Sequence, residues 1–145
     1  MTISYRRNIS SCTYCYWGYF ELIAVEEETL QHVFLDYPLT KQVNVEAAIE
    51  SNSNFMAAAA VVRDSNSSFI AVKSWKFPSR LSAKSAEATT IREVLSWVKL
   101  QNWDIVIIES DAKIVVQAIN DGSYEDSSSF DLLVCDCQAI LLFMS

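Results

Sequence analysis

An α/β domain built on a mixed β-sheet is predicted by three features of the 145-residue chain. Three strand-like segments follow one another between Val43 and Phe77, a long helical segment crosses to a nearly all-apolar run ending at Glu109, and two helical segments come last. Sequential strands pair antiparallel, whereas a strand reached through a helix returns parallel, so one side of the sheet should be antiparallel and the other parallel.

Residues 1–41 read as a separate small unit. They hold an aromatic opening (Tyr5, Tyr14, Tyr16, Trp17, Tyr19, Phe20), an acidic knot at Glu26 to Glu28 and the only histidine, without sustained periodicity. From residue 42 the text becomes regular. Val43, Val45, Ala47 and Ile49 alternate with Asn44, Glu46, Ala48 and Glu50, the period of a strand with one apolar face. Phe55 to Val62 is a continuous apolar run followed by Arg63-Asp64-Ser65-Asn66-Ser67, which suits a buried strand entering a turn. Ser68 to Phe77 returns as the second arm of that hairpin and stops at Pro78-Ser79.

The spacing of Ile91, Val94, Leu95 and Val98 predicts a helix over Ser82 to Gln101. Glu87 precedes Ile91 by one turn and therefore shares its inner stripe, where a carboxylate is costly unless something cationic meets it. The run Asp104-Ile-Val-Ile-Ile-Glu109 has the character of a central parallel strand. Ser110 or Asp111 can cap a helix reaching Asn120, with Ile114, Val115, Ala118 and Ile119 inward, and Asp121-Gly122-Ser123 closes it. Phe130 to Phe143 reads as the last helix.

Composition narrows the function. With two glycines, Gly18 and Gly122, neither a GxxxxGKS phosphate loop nor a GxGxxG dinucleotide fingerprint can be assembled. A hydrophobic content of 51% is enough to build a core, which excludes a disordered polar chain. The net charge of −7 disfavours binding to phosphate backbones by bulk electrostatics, so any nucleic-acid contact must be local. The cysteines form two close pairs, Cys12/Cys15 and Cys135/Cys137, unlike a secreted disulfide scaffold. No signal peptide is read after Arg6 and Arg7, and the apolar runs are too short to span a bilayer, so an intracellular protein without membrane association is expected.

Three acids occupy telling places: Glu46 on the first regular strand, Glu87 on the inner helix stripe and Asp111 just past the fourth strand. Hydrolysis of a phosphodiester with two magnesium ions needs such a cluster, because hard cations take oxygen ligands. Asp111 reads equally well as a helix N-cap.

The segments Val43-Asn-Val-Glu-Ala-Ala, Ala60-Val-Val-Arg-Asp-Ser-Asn-Ser-Ser-Phe-Ile, Ser85-Ala-Glu-Ala-Thr-Thr-Ile-Arg-Glu-Val-Leu and Ile107-Ile-Glu-Ser-Asp-Ala-Lys-Ile-Val-Val together resemble the ribonuclease H-like domains of plant retrotransposon-derived, reverse-transcriptase-like proteins. The resemblance covers residues 42–145. It implies a five-stranded mixed sheet in the order 3-2-1-4-5 with flanking helices, and magnesium-dependent endonucleolytic hydrolysis of the RNA strand of an RNA·DNA hybrid. By the same likeness Glu46, Glu87 and Asp111 are the catalytic, metal-holding carboxylates. The family's first carboxylate is an aspartate; Glu46 is one methylene longer, and a displacement of about an ångström can cost on the order of a hundredfold in rate. The family's fifth strand and fourth acid lie beyond Ser145, so four strands, three acids and one uncovered sheet edge are expected. Activity is accordingly expected to be weak or lost, with a non-catalytic, nucleic-acid-binding remnant as the alternative.

The N-terminal unit is similar to the zinc-binding segment that precedes such domains, with Cys12, Cys15 and His32 as candidate ligands and Tyr37 in the place of the last cysteine. Three ligands fall short of a closed four-ligand site, and bound zinc is not expected. Cys135 and Cys137 stand on different sides of a helix and read as core thiols. Lys73, Lys76, Arg80 and Lys84 form an acid-free basic run with Trp75 and Phe77 among them, the best candidate for phosphate contacts with a hybrid.

Overall fold

The computed structural model describes residues 2–6, 40–49, 54–78, 81–103, 105–122 and 128–144. Its elements in chain order are β1 (Thr2–Arg6), β2 (Thr40–Ile49), β3 (Phe55–Asp64), β4 (Phe69–Pro78), α1 (Ala83–Gln101), β5 (Ile105–Glu109), α2 (Lys113–Asp121) and α3 (Ser129–Met144). The sheet is mixed and five-stranded, in the order β1-β5-β2-β3-β4. Strands β2 and β5 are parallel, as the helical crossover requires, and the other neighbours are antiparallel.

The fifth strand corrects the expectation of an uncovered edge. The outer edge of β5 is paired by β1, from Thr2↔Glu109 to Arg6↔Ile105, so residues 2–6 join the same sheet as residues 40–109. Ile3 lies opposite Ile108 and is 1% exposed, a core residue. A strand this short repeats its inward position too few times for a period of two to stand out in sequence.

Strand alternation divides the sheet into two faces. Val43 and Val45 of β2, Ala60 and Val62 of β3, Val106 and Ile108 of β5 and Ile3 of β1 form one core with the helices. Facing them are Ile91, Val94, Leu95 and Val98 of α1, Val115, Val116 and Ile119 of α2, and Val134, Cys137 and Leu141 of α3. Ile114 was expected inward but is 64% exposed. Helix α2 starts at Lys113, later than a cap at Ser110 or Asp111 would place it, and its buried stripe is Val115, Val116 and Ile119.

The β3–β4 hairpin turns as its sequence predicts. Asp64 Oδ1 accepts from the Asn66 and Ser68 amides at 2.9 and 2.8 Å, an Asx arrangement that fixes the bend. Ser67 takes a left-handed φ of 62°. That conformation costs a side-chain-bearing residue about 1–2 kcal/mol, partly balanced by the freedom glycine gains when unfolded. Ser67→Gly is therefore expected to stabilise the fold by roughly 0.5–1 kcal/mol, visible as a higher urea midpoint with unchanged slope. An unchanged or lower midpoint would contradict this reading of the turn.

Helix α1 begins at the N-cap Ser82, whose hydroxyl accepts from the Ser85 amide, and ends in left-handed Asn102. Thr89 and Thr90 bury their hydroxyls by donating to the carbonyls of Ser85 and Ala86. Helix α3 opens with a capping box in which Ser128 and Asp131 bond reciprocally, which assigns Asp131 a local structural role. Helices α1 and α3 run parallel, matched along their length by Lys84 over Phe130, Cys137 near the Ala88 carbonyl and Lys99 over Phe143. Cys137 is the core thiol of its pair, its pKa pushed up to about 12 chiefly by burial. Cys135, on the other side of the helix, is exposed. No helix among the described residues is long and apolar enough to cross a membrane.

Candidate active site

Strand β2 carries Glu46 on the face away from the helices. Val43 and Val45 are buried, so the alternate residues Asn44 and Glu46, which are exposed, lie on the opposite face. Strand β5 ends at Glu109, and Asp111 follows in the exposed turn before α2. Ala112 occupies the N-cap position of α2 without a side-chain cap, while the Ser110 hydroxyl accepts from the Ala112 amide at 3.2 Å. Asp111 is thus not the helix cap that the sequence allowed, and its carboxylate is not committed to the start of α2.

Glu87 sits one turn before Ile91 on α1, half-buried as its spacing predicts. Its Oε2 is enclosed and makes no hydrogen bond among the described residues. Its pKa is raised above 4.5, first by burial and then by the negative charges of Asp111 and Glu46. The fold therefore gathers three acids distant in sequence into one electrostatic neighbourhood. Among the described residues, no three His, Cys, Asp or Glu side chains converge tightly enough to hold an ion by themselves. The donor chemistry nonetheless fits a hard divalent cation: all three groups are carboxylates, and a buried oxygen without a partner is a site such a cation would satisfy.

The basic run does not form one surface. Lys73 pairs with Ala60 on the helix face of β4, its Nζ 5.1 Å from the Trp75 ring centre and 5.6 Å from that of Trp97. Lys76 pairs with Ala57 on the other face, the one shared with Glu46, its Nζ 4.2 Å from the Phe55 ring centre. Lys84 stands at the start of α1 over Phe130. Consecutive residues of a strand point to opposite sides, which is what separates Lys73 from Lys76. Arg80 lies outside the described residues, as do Cys12, Cys15 and His32. Beside Lys76 an open groove of about 560 Å³ is lined by Ala48, Phe55, Ala57 and Ser74 on the sheet.

Two polar residues of this region were not singled out from sequence. Asn44 Nδ2 donates to Glu109 Oε2 at 2.7 Å, joining β2 to β5. Alternation already put Asn44 on the face of Glu46, but its contact with Glu109 depends on the β2–β5 register, which sequence alone does not supply.

A family model described as reverse transcriptase-like matches residues 44–142. Among solved structures, ribonuclease H1 from the halophilic archaeon Halobacterium salinarum NRC-1 is similar with a TM-score of 0.61 at 12% identity, over 71% of this chain and 77% of that one. The N-terminal ribonuclease H domain of Rv2228c from Mycobacterium tuberculosis, solved as a maltose-binding-protein fusion, gives 0.52 at 17% identity over 70% and 73%. The foamy viral protease-reverse transcriptase in complex with double-stranded DNA gives 0.51 at 13% identity over 76% and 77%. No curated protein sequence matches the chain.

Proposed function

Because the chain belongs to the reverse transcriptase-like family and has the ribonuclease H-like fold, we propose that it is a nucleic-acid-binding protein of retrotransposon descent that hydrolyses the RNA strand of RNA·DNA hybrids. The observation that carries this reading is the unpartnered buried oxygen of Glu87, flanked by the charges of Glu46 and Asp111. Three carboxylates repel a phosphodiester backbone, so their gathering suits a site that works with cations between protein and substrate. Glu46, Glu87 and Asp111 would hold magnesium, which when bound polarises the phosphodiester and supplies a nucleophilic water at neutral pH.

The protein's own part is positioning. Strand β2 presents an exposed Glu46, α1 holds Glu87 half-buried with Oε2 enclosed, and Asp111 is exposed in the turn after β5. Glu87 gives up no hydrogen bond on accepting a ligand at Oε2. Lys76 and the adjoining groove offer one cationic contact on the face of Glu46, as a duplex bound through its phosphates requires.

Incubating the protein with a labelled hybrid should give slow, magnesium-dependent cleavage of the RNA strand that EDTA stops and Asp111→Asn reduces by about a hundredfold or more. Cleavage indistinguishable from that of Asp111→Asn would remove the enzymatic claim. The looseness of the three acids and the longer side chain at Glu46 favour the second reading, hybrid binding without turnover. Magnesium-insensitive binding with no cleavage is its signature.

A further inference from the structure

Glu46 and Asp111 stand in the same relation to the sheet. The parallel ladder between β2 and β5 ends at the rung Asn44↔Glu109, and each acid lies two residues beyond it, Glu46 still on β2 and Asp111 in the turn that follows β5. Past that rung the chains part: β2 continues beside β3 to Ile49, while β5 ends and the chain turns through Ser110 toward α2. Backbone pairing with β5 therefore no longer sets how far apart the two carboxylates sit. At the rung itself, Asn44 donates to the Glu109 carboxylate at 2.7 Å, a short bond to a charged acceptor.

We propose that Asn44 and Glu109 form a positioning clamp that closes the end of the β2–β5 ladder and sets the gap between Glu46 and Asp111, and with it the affinity of the site for a divalent cation. The proposal rests on the assignment of those acids as the metal-holding pair. The residue types suit the task, because an amide NH2 is a donor that a carboxylate can only accept from. Glu109 Oε2 is engaged by Asn44, which marks it as a positioning group. Outer groups that orient metal-holding side chains commonly change metal affinity by 10- to 100-fold when removed.

The test compares Asn44→Ala, Glu109→Ala and Glu109→Gln in the full chain, using manganese alone as the probe, followed by electron paramagnetic resonance. Amide hydrogen exchange of the metal-free protein provides a second readout. Glutamine keeps a carbonyl oxygen for Asn44 and loses only the charge. Both alanine variants should weaken manganese binding about 10- to 100-fold and speed exchange at Ser110 to Ala112, whereas Glu109→Gln should stay within about threefold of the parent. A loss in Glu109→Gln equal to that in Glu109→Ala would overturn the clamp in favour of a role for the charge. So would an Asn44→Ala protein that behaves like the parent in both readouts. If the parent binds no manganese, or Glu87→Ala leaves its binding unaltered, the metal assignment fails and the clamp is judged on the exchange data alone.

Discussion

Glu87→Gln is expected to make the protein more stable at neutral pH while lowering hybrid cleavage by at least about a hundredfold. The two effects share a cause. Burial and the neighbouring charges of Asp111 and Glu46 raise the Glu87 pKa, so the folded state holds this proton more tightly than the unfolded state does. A raised carboxylate pKa means that stability falls as pH climbs from the ordinary value of 4.5 through the raised one, as the folded state is forced to ionise. Glutamine cannot ionise, so the variant loses that decline and should be the more stable of the two at pH 7 in metal-free buffer. Urea midpoints between pH 4 and 8 check this. A variant that is less stable than the parent across the whole range would show that Glu87 is held by favourable contacts, and the metal-holding assignment would lose its main support. Added magnesium should narrow the gap by stabilising only the parent, because a ligand that binds the folded state alone raises its stability.

Ile3→Ala is expected to destabilise the protein by about 2–4 kcal/mol, and Ile3→Asp by more, through an unpaired charge in the core. Ile3 is fully buried opposite Ile108 and sits in the same cluster as Val106 and Val116. Against a typical total of roughly 5–15 kcal/mol such losses are large. They should be accompanied by faster amide exchange along β5, whose outer edge β1 covers from Thr2 to Arg6. An Ile3→Ala midpoint equal to that of the parent would mean that β1 adds nothing to the folded core.

Much of this arrangement was legible because its signals are periodic. The alternation from Val43 to Ile49 and the i, i+3, i+4, i+7 spacing around Ile91 locate β2 and α1, and with them Glu46 and Glu87. The half-buried state of Glu87 followed from its distance to Ile91 alone. What escaped were features set by pairing between distant segments. The docking of β1 on β5, the Asn44–Glu109 contact and the separation of Lys73 from Lys76 each depend on register, which adjacency in sequence does not encode. The cap of α2 escaped for a local reason: Ser110 turns the chain through the Ala112 amide before the helix starts, so Asp111 falls outside the cap.

The edge strand has a consequence in time as well as in space. Ile3 and Ile108 lie about a hundred residues apart, so β1 contributes a contact of very high sequence separation, and loop closure must be met before that pairing returns any energy. At a synthesis rate of about 5–20 residues per second, β1 emerges roughly 5–20 seconds before β5 exists to receive it. The β2–β3–β4 meander, joined by short hairpins, can form in the meantime. A strand made well before its partner is thus placed only after β5 exists, and the outer edge of β5 stays open until β1 returns to it.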